Sequence, residues 1–143
     1  MKKTIVLLFA LCSLFTFPAC DTGTGTSTNN EEETGNVDDG TFEGRYTGDE
    51  LTITGYVEGA VLGDITIPST IEGKTVVAID SVAFYGCDGE DGTPDITSVV
   101  FPSSLRKIEG SAFADNGNLH TISLKDGLER LNYDAFRGAA LTA

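Results

Sequence analysis

Apolar and polar positions alternate in short bursts that recur along the chain. Ile65-Thr66-Ile67-Pro68 is the first, Val99-Val100-Phe101-Pro102 the second and Ile122-Ser123-Leu124 the third. A period of two is that of a strand, so Ile65 and Ile67 face one side and Thr66 the other. Pro68 and Pro102 end their strands, because proline has no amide to donate to a ladder. A second extended piece follows each burst: Val77-Ala78-Ile79, Leu105-Arg106-Lys107-Ile108 and Leu128-Glu129-Arg130-Leu131. Each unit then closes on an Ala-Phe pair: Ala83-Phe84, Ala112-Phe113 and Ala135-Phe136.

Ala112 and Ala135 are 23 residues apart. A fixed period of this size marks a solenoid, whose units cannot bury their apolar sides alone. The pattern predicts a mainly β fold with about three repeats, over residues 64–95, 96–118 and 119–140. The small Ala sits where backbones approach. Phe84, Phe113 and Phe136 are expected to pile into one aromatic column. Glu72 to Val76, and the residues from Asp88 to Asp95, lengthen the first repeat and are expected on loops. Leu141-Thr142-Ala143 looks like the start of a fourth strand. The expectation is a copy truncated at its C-terminal end, the alternative being an open edge that docks a partner.

Upstream of the repeats, Leu51-Thr52-Ile53-Thr54-Gly55-Tyr56 alternates and predicts an opening strand. The folded domain is expected over residues 41–143. Residues 20–40 are rich in Thr, Gly, Asn and carboxylates, with a single Val. Such a stretch buries too little surface to offset its chain entropy, so a disordered acidic linker is expected. Residues 1–19 have a basic start at Lys2 and Lys3 and then an apolar run too short for a comfortable membrane span. They are expected to be a signal peptide. Phe17-Pro18-Ala19-Cys20 resembles the lipobox of bacterial lipoproteins, which implies lipid on Cys20 and an anchored protein of the bacterial cell envelope.

Charge narrows the partners. The formal net charge is −13, and nucleic acid is not expected, because phosphate contacts need clustered Lys and Arg. With Cys12 in the signal segment and Cys20 carrying lipid, Cys87 is left without a disulfide partner. A buried, inert thiol is the expectation there. His120, the one His, is expected on the sheet surface with no matched acid or nucleophile, so no catalytic residue is assigned. Zinc ligands are too few. The carboxylates between Asp88 and Asp95 do not match the helix-loop-helix calcium spacing and are read as a solvated insertion. No metal and no cofactor is expected.

At these residues the chain resembles the BspA-type, or Treponema pallidum-type, leucine-rich repeat family. Ile65 to Val76 matches the family's opening unit, and Ala83-Phe84-Tyr85-Gly86-Cys87 its closing unit. The second repeat keeps Phe101-Pro102-Ser103-Ser104-Leu105, Ile108 and Ala112-Phe113, whereas the third has Lys125 where Pro is usual. The resemblance covers residues 51–143. It implies a curved right-handed leucine-rich-repeat solenoid, surface exposure on bacteria, and adhesion to host matrix proteins or other cells. No enzymatic role comes with it. The expected function is therefore non-catalytic protein binding. The alternatives are a structural or assembly module inside the envelope and a carbohydrate-binding accessory module, the latter disfavoured by the absence of Trp. Outward side chains of the Pro-terminated strands, Thr66, Ser98, Val100, Thr121 and Ser123, are the candidate partner-binding residues.

Overall fold

The computed structural model describes residues 33–90 and 93–142. The expected signal peptide and Cys20 lie outside the described residues. Among the described residues ten strands carry the fold: β1 (Thr34–Asp38), β2 (Phe42–Thr47), β3 (Glu50–Tyr56), β4 (Asp64–Thr66), β5 (Thr70–Ile71), β6 (Lys74–Ile79), β7 (Ser98–Val100), β8 (Lys107–Ile108), β9 (Thr121–Ser123) and β10 (Arg130–Leu131). No helix occurs among the described residues.

The repeats stack as parallel coils. Each contributes one strand to a three-stranded sheet, β4-β7-β9, and one to a second sheet that runs β3-β6-β8-β10 in parallel. Equivalent residues sit one above another: Ile65, Val99 and Ile122 in the first sheet, and Ile79, Ile108 and Leu131 in the second. Between the sheets runs the Ala-Phe segment. There the amide of Phe84 donates to Ala112 at 2.8 Å and that of Phe113 to Ala135 at 2.7 Å. Ala83, Ala112 and Ala135 are buried at these approaches.

Two equivalent positions in every coil take left-handed backbone. Val82, Ser111 and Asp134 do so at φ 55°, 58° and 56°, and Gly86, Asp115 and Gly138 at 64°, 57° and 75°. The chain thus turns at the same two places whatever residue stands there. At Val82 this is costly, because a β-branched side chain crowds its own backbone in this region.

The expected ring column is present and longer than the sequence indicated. Phe84 and Phe113 stack at 4.9 Å, and Phe113 and Phe136 at 5.4 Å. Tyr56 of β3 continues the column, 6.2 Å from Phe84. Phe101 meets Phe113 edge-on at 5.6 Å. Offset and edge-to-face contacts of this kind add to the stabilisation from burial alone.

The boundary expected at residue 41 is corrected. β1 lies within the stretch read as linker, and it pairs antiparallel with β2, which pairs antiparallel with β3. This meander covers the first coil through the parallel β3–β6 pairing. β1 holds because Val37 is buried and because Gly35 leaves room for the Tyr46 ring: a Cβ there would lie 2.6 Å from the Tyr46 hydroxyl. The lengthening at residues 72–76 is also more ordered than a loop. Glu72 and Gly73, both at positive φ, form the two-residue turn of a hairpin between β5 and β6.

At the other end of the stack the inward side chains are less covered. Leu131 is 51% exposed, while its equivalents Ile79 and Ile108 are fully buried. Thr142 donates its amide to the His120 carbonyl at 3.1 Å, as His120 donates to Thr97 one coil earlier. Thr142 thus repeats in register the contact that His120 makes one coil earlier, although no strand forms at residues 141–142.

Candidate protein-binding face

The β4-β7-β9 sheet brings all five sequence-predicted residues onto one face. Cross-strand pairing aligns Asp64, Ser98 and Thr121 in one row, and Thr66, Val100 and Ser123 in another. The row between them, Ile65, Val99 and Ile122, points into the core, as the period of two requires. Thr66 and Thr121 are exposed, and Ser98, Val100 and Ser123 are half-buried. The face is built of small side chains, without the Trp, Tyr or Arg that dominate hot spots.

Asp64 belongs to this face and was not singled out from sequence. Its carboxylate accepts hydrogen bonds from Ser98 Oγ at 2.6 Å and Thr97 Oγ1 at 2.9 Å. These bonds, with a smaller contribution from His120, hold its pKa below the ordinary carboxylate value. The signal was available: Asp64 stands two residues before Thr66 and so shares its side of the strand. His120 is on the surface, as expected, next to Thr121.

Nothing in this arrangement resembles an activated nucleophile. Cys87 is buried, its thiol is pushed up to about 11 by desolvation, and its sulfur lies 4.0 Å from the Tyr85 carbonyl. A thiol that holds its proton is a poor nucleophile. Cys87 stands in the first coil where Asn116 and Ala139 stand in the next two. Asn116 is fully buried there and donates to the Phe84 carbonyl at 2.8 Å, while its Oδ1 has no partner among the described residues. Among the described residues no group of three His, Cys, Asp or Glu side chains is placed to hold a metal ion.

Polar clasps tie neighbouring coils at the surface. Tyr85 donates to Asp115 at 2.6 Å, and Arg137 reaches the same carboxylate from the third coil at 3.3 Å. Glu109 pairs with Lys107 and accepts from Asn132, and both contacts hold its carboxyl below the ordinary range.

Parallel strands stacked coil on coil, with small outward side chains in rows, define a short repeat protein that presents a surface. The model of the BspA-type leucine-rich repeat region matches residues 58–142 in six copies. The chain belongs to that family. Three solved structures are similar. A leucine-rich repeat protein of T. pallidum shares 32% identity over 70% of this chain and 39% of its own, with a TM-score of 0.49. A leucine-rich repeat protein from Bacteroides capillosus shares 24% identity over 63% of this chain and 65% of its own, with a TM-score of 0.52. The pneumococcal vaccine antigen PcpA shares 23% identity over 75% of this chain and 31% of its own, with a TM-score of 0.54. The chain therefore spans less than two thirds of each. No curated protein matches it. Repeat domains of this kind generally bind other proteins, and generally without catalysis.

Proposed function

We propose that this is an exported bacterial protein, anchored by lipid on Cys20, whose solenoid binds another protein at the cell envelope without catalysis. Residues 1–19 serve as its signal peptide, and the acidic stretch between Cys20 and β1 as its tether. Adhesion to a host matrix protein or to neighbouring cells is the specific role. The observation that carries the reading is the pair of aligned rows on the β4-β7-β9 face, Asp64–Ser98–Thr121 and Thr66–Val100–Ser123. A flat, regular surface of this sort suits a broad contact, in which many small contributions replace one deep pocket. That one structural neighbour is named a vaccine antigen is consistent with a place at the cell surface.

Purified protein passed over immobilised matrix proteins should be retained, and a variant with Thr66, Val100 and Ser123 all changed to Lys should not. Equal loss of wild type and variant in the flow-through counts against adhesion. Metabolic labelling with a fatty acid tests the anchor: label should enter the wild type and be absent from Cys20→Ala. The runner-up is an assembly module facing inward, and protease added to intact cells separates the two. A solenoid cleaved from outside supports adhesion, and one that is shielded supports assembly.

A further inference from the structure

A cleft of about 690 Å³ opens where the β1–β3 meander meets the first coil. Its lining includes Glu43, Tyr56, Glu58, Val61, Pro94 and Asp95, no basic residue, and none of the sequence-predicted face residues. We propose that this cleft binds a positively charged, partly apolar segment of a protein partner. The inference rests on the protein-binding reading above and gives it a second contact place.

Val61 is the first argument. It is 97% exposed beside a buried Leu62. A large apolar side chain held fully in water gains free energy when a partner covers it. Tyr56 is the second. One side of its ring is engaged by Phe84, and its place in the cleft wall offers an aromatic surface to a Lys or Arg side chain. Charge is the third. Glu43, Glu58 and Asp95 make no ion pair among the described residues, whereas Arg45, Lys74, Arg106, Lys107 and Arg137 all have carboxylate partners. Asp95 accepts from Asn118 Nδ2 at 3.1 Å, but no cation among the described residues offsets the three carboxylates, in a chain of net charge −13. The described carboxylates also do not gather around a single metal position, so an extended chain bearing several cations fits them better than one ion. Finally, the wall at residues 93–95 belongs to the insertion found in the first repeat alone, and insertions in repeat proteins map to loops that often bind.

The test uses the full chain and a fluorescein-labelled hexapeptide of alternating arginine and leucine, read by anisotropy. The peptide should bind. Glu43→Gln, Glu58→Gln and Asp95→Asn together should weaken it about tenfold. Val61→Ser should weaken it about fivefold. Glu72→Gln, Asp126→Asn and Glu129→Gln, the same change of charge elsewhere, should leave it within about twofold. Thermal melts confirm that each variant is folded, and the single exposed change Glu58→Lys repeats the measurement if the triple variant is not. No binding overturns the proposal. So does equal weakening by the two triple variants, which reduces the effect to overall acidity. Equal binding of a glutamate-leucine or arginine-serine peptide does the same. The peptide assay judges the cleft whichever way retention on immobilised proteins falls. Retention on those proteins without peptide binding overturns the cleft and leaves protein binding standing, and peptide binding without retention does the reverse.

Discussion

The ring of Phe113 lies 4.9 Å from that of Phe84 and 10° from parallel, with both side chains fully buried. Phe113 also stacks on Phe136 and meets Phe101 edge-on. It is an inner ring of the column, engaged on both sides. Phe113→Ala should cost about 3–5 kcal/mol in urea unfolding. A double-mutant cycle of Phe84→Leu with Phe113→Leu should show a coupling of about 0.5–1.5 kcal/mol. Additive effects would mean that the stacking contributes nothing beyond burial.

Val82 and Gly138 test the turning points from opposite sides. Val82 is exposed and carries φ 55° with a β-branched side chain. Val82→Asn keeps a side chain that tolerates this backbone and should stabilise the fold by about 1 kcal/mol. Gly138→Ala should destabilise it by a similar amount or more. Its backbone is at φ 75°, and its new Cβ would lie 2.8 Å from Asp115 Oδ1. Thermal melts of both variants give the answer, and a lower Tm for Val82→Asn would defeat the strain argument.

Cys87 should resist thiol reagents at neutral pH in the native protein and react fully in denaturant. The folded thiol is raised to about 11 from 9.0. A raised value means the folded state holds the proton more tightly. Its contribution to stability is therefore whole below pH 9.0 and is lost as pH rises toward 11. Cys87→Ala should remove that alkaline slope. Rapid labelling of native protein at neutral pH would contradict the burial.

Asp64 has the opposite sign. Hydrogen bonds from Ser98 and Thr97 lower its folded pKa, so its stabilising effect is present above the ordinary carboxylate value and fades as pH falls through the lowered one. The stability of the wild type relative to Asp64→Asn should therefore shrink on acidification within that window. A difference independent of pH would show that the two hydroxyl contacts do not form in solution.

Much of this molecule can be read from its residues. The period of two placed Thr66, Ser98, Val100, Thr121 and Ser123 on one face, and the recurring Ala-Phe pair fixed the column. Of the meander, β3 was legible as the opening strand at Leu51–Tyr56, while β1 was hidden for a physical reason. β1 reads TGNVD, with Val37 as its sole apolar anchor and Gly35 contributing only space for Tyr46. Hydropathy cannot see a strand held by an absent side chain. The left-handed turning points were equally silent, because Val82, Ser111 and Asp134 have no chemistry in common. Their conformation is imposed by the stacked neighbours, not by local preference. The acidic cleft needed the fold to bring Glu43 of β2 near Asp95 of the insertion.

The Tyr56 ring belongs to β3, antiparallel to β2 but parallel to β6, and continues a column that otherwise passes from coil to coil. Meander and first coil therefore share one core, while the described stack is least covered around Leu131. Amide hydrogens should exchange earliest around Thr121 and Arg130 and last around Ile53 and Ile79.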